Sequence, residues 1–419
     1  MTAAEHHSTM PRSVSRRSLG ALDALNFALA DVRDGIGPFL AVYLKTQNWH
    51  PASIGIAVAS SALAAVLLQA PAGALVDVAR NKRLIIALAS GTVIGACLIF
   101  VSQPSFTCVI IGQIMCGAAN VLFSPAVAAI SLGLVGQQLL HRRLARNEAF
   151  NHGGNLVSAA MAAVISKRFG TGAIFLLSCA FAIVMIISAL TVKAEDIDYE
   201  LARGGELHAP DGKAQVVPIY KLLSDWRVAA FSVCVFLFHF GNAAMLTEVG
   251  QELADLQLSG SSMNAGVCMA ACIIVAQLCM IPTALLAGKY AHELGRKPVF
   301  LVASVCLPLR GLIFAFSHNA AILIATQILD GVSAGIYGVV AVLIVFDLTK
   351  NTGRFNLTLG LISTGAGLGA AASNAITGWV VGTYGYAVGF HLLSFVSLVA
   401  ALIFWRFMPE TNRIISRSV

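Results

Sequence analysis

Charge is what this sequence has least of. Asp, Glu, Lys and Arg make up 11% of its 419 residues and 58% are hydrophobic, against about 25% charged and about 45–50% apolar in ordinary soluble domains. So few charges cannot cover a soluble fold of this length, and the mean hydropathy of +0.81 agrees. Disorder, a collagen-like fibre and a nucleic-acid-binding domain are excluded on composition. No zinc-type CxxC pair, no H-E-x-x-H and no G-x-x-x-x-G-K-[ST] loop occurs, so no metal, no cofactor and no direct drive by ATP is expected. The nine cysteines, Cys268 and Cys272 among them, all lie inside apolar segments and read as small hydrophobic filler, not disulfides. The chain belongs in a bilayer.

A membrane-spanning helix needs about 20 apolar residues. The apolar runs are 21–44, 53–77, 84–102, 105–135, 148–166, 172–192, 227–248, 263–290, 298–317, 320–347, 355–381 and 385–407. The fold class they predict is an all-α polytopic membrane protein of twelve transmembrane helices. The basic residues fall almost wholly in alternate connectors: Arg80, Lys82 and Arg83, then Arg142, Arg143 and Arg146, then Lys289, Arg296 and Lys297, with more in both tails and the central linker. The other side has only Lys45, Lys167 and Arg168. That asymmetry places both termini in the cytoplasm of a plasma (bacterial inner) membrane. Ser15-Arg16-Arg17-Ser18-Leu19 resembles a twin-arginine signal only faintly, since the run behind it carries Asp23, Asn26, Asp31, Arg33 and Asp34. The expected divisions are a tail 1–20, a bundle 21–192, a linker 193–225, a second bundle 226–407 and a tail 408–419.

The two halves repeat. Gln113-x-x-x-Gly117 returns as Gln327-x-x-x-Gly331, and Phe150-Asn151 as Phe355-Asn356. Gly73-Ala74-Leu75-Val76-Asp77-Val78-Ala79-Arg80-Asn81-Lys82-Arg83 follows the second run, and Gly288-x-x-x-His292-x-x-Gly295-Arg296-Lys297 the eighth. At these residues the sequence resembles the major facilitator superfamily, whose signature loop is G-x-L-x-D-R-x-G-R-K. The first copy keeps Gly73, Asp77 and Lys82; the second keeps Gly288, Gly295, Arg296 and Lys297 but has His292 and Glu293 for Asp-Arg. The resemblance implies two pseudo-symmetric six-helix bundles that rock about a central site, with these loops as a cytoplasmic latch. Gly73 and Gly288 are further expected to let neighbouring helices approach closely. The proline-containing fifth-span motif of proton-linked drug exporters in the family is missing: that span opens Asn151-His152-Gly153-Gly154-Asn155.

The first span holds Asp31, Arg33 and Asp34 near its middle. Three mid-helix charges cost about 9 kcal/mol on the insertion scale, and its Leu, Ile, Val and Phe side chains return about 5, so the helix must sit inside the bundle. On a regular α-helix Asp23, Phe27, Ala30, Asp34 and Pro38 share a face. Two carboxylates one turn apart beside an arginine form a candidate proton site. In the family, spans 1, 4, 7 and 10 line the cavity, which adds Asn120, His239, Asn242 and Asp330 as cavity candidates. Arg310, in the ninth span, reads as peripheral and snorkelling. Gln69, Gln113, Gln277 and Gln327 read as helix-to-helix hydrogen bonds, and Glu248 and Glu252 as marking the outer mouth.

Gly331-Val332-Ser333-Ala334-Gly335 matches the serine-hydrolase elbow G-x-S-x-G, but it lies inside an apolar helix and not on the strand-turn-helix that chemistry needs. No catalytic residue is assigned and the chain is not read as an enzyme. The expected function is secondary active transport of a small solute, proton-coupled, with efflux favoured and proton-symport uptake of an organic anion as the alternative. The partners expected are the solute, protons and the lipid bilayer, not nucleic acid, with the monomer as the working unit. A non-transporting sensor or an intramembrane enzyme is the remote alternative.

Overall fold

Short polar residues end the apolar runs and cap the helices that follow. Asn81, Asn264 and Asn319 accept backbone N–H bonds from Leu84 (3.2 Å), Val267 (3.0 Å) and Ala321 (2.9 Å), and Pro51 opens its helix where no N–H is needed. The computed structural model describes residues 14–199, 225–349 and 355–412; the rest of the tails and most of the linker lie outside these, as do the side chains of Asp34 and Asp77.

Among the described residues twelve long helices form two six-helix bundles. In the first, α1 comprises Arg16–Ala30, a π-helical turn Asp31–Gly35, and Ile36–Thr46. Then come α2 (Pro51–Val78), α3 (Lys82–Ser102), α4 (Phe106–Gly136), α5 (137–169) and α6 (Ile174–Thr191). The second holds α7 (Trp226–Leu258), α8 (Ala265–Glu293), α9 (Arg296–Phe316), α10 (Ala320–Leu348), α11 (Phe355–Tyr384) and α12 (Tyr386–Phe407). Among the described residues ten helices are long and apolar enough to cross a membrane; α1 carries too many charges to be counted this way, and the apolar part of α5 is diluted by Asn151, His152 and Asn155.

Two features depart from the sequence reading. The π-helical turn falls on Asp31-Val32-Arg33-Asp34-Gly35, so the regular 100° register that put Asp34 on one face with Asp23 breaks there. And α5 begins directly after a sharp turn at Gly136 (φ 72°), so Arg142, Arg143 and Arg146 are helical residues, not connector residues. They read as a loop because their charge hides the helical period.

The internal repeat is present as packing. A Cβ on Gly117 of α4 would lie 2.3 Å from the Ser61 carbonyl oxygen of α2, and one on Gly331 of α10 would lie 2.3 Å from that of Ala276 of α8. Each glycine lets two backbones touch at matching places in the two bundles. Gly335 does the same against Met280, and Ser333 donates to the Ala303 carbonyl at 3.0 Å, so the G-x-S-x-G match is a helix crossing. Gly73 and Gly288 are not close-approach glycines: a Cβ on Gly73 meets nothing within 4 Å and one on Gly288 meets only Val339, at 3.9 Å. Gly331→Val is therefore expected to destabilise the second bundle by about 3 kcal/mol or more, because backbone cannot yield as a side chain does; Gly73→Val should leave the melting temperature unchanged.

Outside the membrane, Asp196 clasps the start of α1. It accepts from the hydroxyls of Ser15 and Ser18, the latter at 2.6 Å. These bonds hold its carboxyl below the usual aspartate range, Ser15 contributing most.

Candidate functional site

The bundles meet along three helix pairs, α1 with α7, α2 with α11 and α5 with α8. They meet closely at the end away from the basic loops. There Lys45 of α1 bridges to Asp255 of α7 at 3.1 Å, and Tyr386 of α12 donates to the same carboxylate at 2.8 Å. A Cβ on Gly55 of α2 would lie 2.3 Å from the Asn374 carbonyl oxygen of α11. Ser166 of α5 donates to Asn264, the N-cap of α8, at 2.8 Å. This end is sealed.

Below the seal lies a cavity of 1380 Å³ between α2, α4 and α11, continuing along the start of α5 toward the basic-loop end. Among the described residues its lining is small and apolar, with Gln69, Asn120, Ser124 and Ser363 as its polar side chains and no charged one. The Oδ1 of Asn120 is buried and has no hydrogen-bond partner among the described residues. Gln277 of α8 meets His152 of α5 at 3.1 Å, a contact across the bundles.

The buried charges of the described spans are not among the residues that line this cavity. Arg310 of α9 is 1% exposed and donates to Asn242 of α7 (2.7 Å), Asp330 of α10 (2.7 Å) and Gln327 of α10 (2.8 Å). The expectation that Arg310 is peripheral fails: it is the hub of the second bundle. The rule that a lone intramembrane charge implies a partner on another span would have found it. In the first bundle Asp31 is 2% exposed and lies within electrostatic reach of Cys97 on α3 and Cys179 on α6. Arg33 donates to Asn151 of α5 at 3.3 Å. His239 packs edge-on against Tyr337 (centroids 4.9 Å apart), its Nε2 buried with no partner among the described residues.

Thus Asn120 lines the cavity, Asn242 and Asp330 are brought together by Arg310, and Asp31, Arg33 and His239 belong to neither group. The sequence reading passed too lightly over Glu248 of α7. It is fully buried near the seal, accepts from Gln251 at 2.9 Å through Oε2, and has no partner at Oε1 among the described residues. Glu252, one turn on, is buried and pairs with His318.

The family model described as Major Facilitator Superfamily matches residues 22–281 and 234–418. The chain belongs to the major facilitator superfamily. An uncharacterised MFS-type transporter of Mycobacterium tuberculosis is 39% identical over 402 residues, 95% of each chain. The solved structure of the nucleoside transporter NupG superposes with a TM-score of 0.76 at 14% identity, over 93% of this chain and 98% of that one. A D-xylose-proton symporter gives 0.71 at 15%, over 94% and 97%. At such identities these two structures establish the fold.

The superfamily's signature loops hold helix ends together here. The Nζ of Lys82, fully buried, donates to the Val76 carbonyl at the end of α2 at 2.6 Å, and Arg83 reaches the Val192 carbonyl beyond α6 at 2.6 Å. In the second copy Gly295 has φ 103°, a conformation side chains rarely adopt. Arg296 pairs with Asp347 at 3.2 Å and donates to the Ala291 carbonyl at 2.5 Å. The carboxylate of Glu410, beyond α12, accepts from the backbone N–H groups of Arg296 (2.9 Å) and Lys297 (3.0 Å). A carboxylate on the first turn of a helix is favoured by the exposed N–H groups there. Glu410 and Asp347 are partners the sequence motif does not contain.

The seal yields two contrasting expectations. The pair is partly exposed, 14% at Lys45 and 41% at Asp255, and a solvent-screened ion pair contributes about 1 kcal/mol, so Lys45→Ala should shift the balance between open and sealed forms by about fivefold. Gly55→Leu sets a side chain against α11 backbone and should hold this end open, which labelling of a cysteine introduced at Asn264 would read as near-complete reactivity.

Proposed function

We propose that this chain is a secondary active transporter that moves a small neutral or amphipathic solute by alternating access, driven by proton exchange in the direction of efflux. The observation that carries the reading is the 1380 Å³ cavity, whose described lining residues include no charged side chain and offer amides and hydroxyls. An organic anion would find no guanidinium among the described lining residues, and Arg310 is already engaged by Asp330, Asn242 and Gln327, which weighs against the uptake alternative. Small residues make room for an apolar body, and Asn120 supplies an unengaged acceptor for a donor on the solute.

The positive-inside asymmetry puts both termini and the basic loops in the cytoplasm of the inner membrane. In that orientation the cavity faces inward and the Lys45–Asp255 end is the closed outer gate. Proton coupling is assigned to buried carboxylates of the central helices, with Asp31 and Asp34 of α1 first. The monomer holds a complete cavity and is the working unit.

The test is purified protein in proteoliposomes carrying an internal pH dye, screened against neutral and amphipathic compounds. Solute-dependent proton movement is expected, and its sign gives the direction. A response confined to anionic compounds would replace efflux of neutral solutes by anion symport. Saturable binding with no flux under any gradient would reject transport.

A further inference from the structure

We infer that a second cavity, at the basic-loop end of the first bundle, is a binding site for a phosphate group, filled by the headgroup of an anionic phospholipid. It is separate from the transport cavity and measures 490 Å³. Arg16 of α1 and Arg142, Arg143 and Arg146 of α5 line it, around Asp23, the one carboxylate among its described lining residues. Asp23 engages two of the four, Arg143 through Nη2 at 2.5 Å and Arg146 through Nη2 at 2.7 Å. Arg143 is fixed from behind: it is 5% exposed, and its Nε donates to Asn147, which donates to Ser131 of α4 at 2.9 Å.

Arg16 and Arg142 are exposed, and neither has an acidic partner among the described residues. The four guanidiniums therefore exceed the carboxylate by three charges within one concavity. A buried arginine held by a hydrogen-bonded chain, with three more facing it, is a preorganised set of planar donors of the kind that matches phosphate oxygens. This excess lies outside the transport cavity, which shares none of these lining residues.

The floor separates a lipid from a soluble anion. Leu19, Val135 and Leu139 make it apolar, and the cavity sits where α1 and α5 leave the hydrocarbon region. A diacyl phosphate can place its phosphate among the arginines and its glycerol and first methylenes on this floor. Free phosphate gains nothing from the apolar part. Basic pockets between spanning helices on the cytoplasmic side suit anionic headgroups for this reason. Bound there, the phosphate ties Arg16 on α1 to Arg142 and Arg146 on α5, adding to the bridge that Asp23 already makes.

The experiment uses full-length protein in phosphatidylcholine nanodiscs and reads thermal unfolding while short-chain phosphatidylglycerol is titrated in, with inorganic phosphate and phosphatidylcholine in parallel arms. The variant is R16A/R142A, two exposed side chains outside the transport cavity and without an acidic partner among the described residues. Wild-type protein is expected to be stabilised saturably by phosphatidylglycerol, and the variant to need roughly thirtyfold more for the same shift. R16K/R142K, which keeps charge but not the planar fork, should fall between. An equal saturable response to inorganic phosphate would retain the phosphate site and assign it to a soluble anion. The same response in wild type and R16A/R142A, or none to either phosphate source in wild type, overturns the site.

Discussion

Proteoliposomes carrying Asp31→Asn are expected to bind solute as the wild type does and to lose solute-dependent proton movement down to background. The side chain is 2% exposed and stands on the one π-helical turn of the described chain, a distortion that recurs at functional positions because it re-aims side chains. A charge at that depth costs about 2.5–3.5 kcal/mol on the insertion scale. Exchange for the isosteric amide removes the titration without removing volume, so folding should survive. Its geometry separates it from the solute: Asp31 lies near Cys97 and Cys179 inside the first bundle, while the solute cavity runs along α2, α4 and α11. Binding and coupling should therefore part company in this variant. Two companion variants locate the coupling. Asp34→Asn tests the second acid of the same turn. Glu248→Gln tests the fully buried carboxylate of α7 at the seal. Proton movement that persists in Asp31→Asn and vanishes in Glu248→Gln would transfer the coupling site to the outer gate.

The spans were legible because apolar runs of about 20 residues have few other uses, and the repeat because Gln113-Gly117 and Gln327-Gly331 occupy equivalent helix crossings. Direction of contact was not legible. A glycine in an apolar run looks the same whether it faces a backbone, as Gly117 does, or open space, as Gly73 does. Charge obscured helices where it clustered: Arg142, Arg143 and Arg146 look like connector residues until Asp23, more than a hundred residues earlier, is seen to pair with two of them. The cavity candidates divided along the same line. Asn120 could be placed by its depth in the fourth span, but what Asp330 does depends on Arg310, and that pairing depends on how α9 and α10 are rotated against each other. The π-helical turn has no signature in period or composition, and it changed the faces assigned to Asp31 and Asp34.

Arg310→Leu is expected to have the largest effect on stability of any substitution of a single buried side chain here. Arg310 is 1% exposed and serves three acceptors on two helices. Removing it leaves the Asp330 carboxylate, 17% exposed, without its cation, and breaking a buried pair from one side costs about 3–5 kcal/mol. Purified Arg310→Leu should melt well below the wild type or fail to accumulate. The same reasoning fixes the rescue. With Asp330→Asn added, the stranded charge is gone and an amide can bond to Asn242 and Gln327, so Arg310→Leu/Asp330→Asn should recover most of the lost stability, as matched replacement of buried pairs often does. What the double variant does in transport then separates two roles for Asp330. If the pair only ties α7, α9 and α10 together, the recovered protein transports with its proton signal intact. If Asp330 also carries a proton during the cycle, the recovered protein binds solute but loses the signal, and Asp31 is not the only coupling site. A stable, fully active Arg310→Leu single variant would remove the hub from the account altogether.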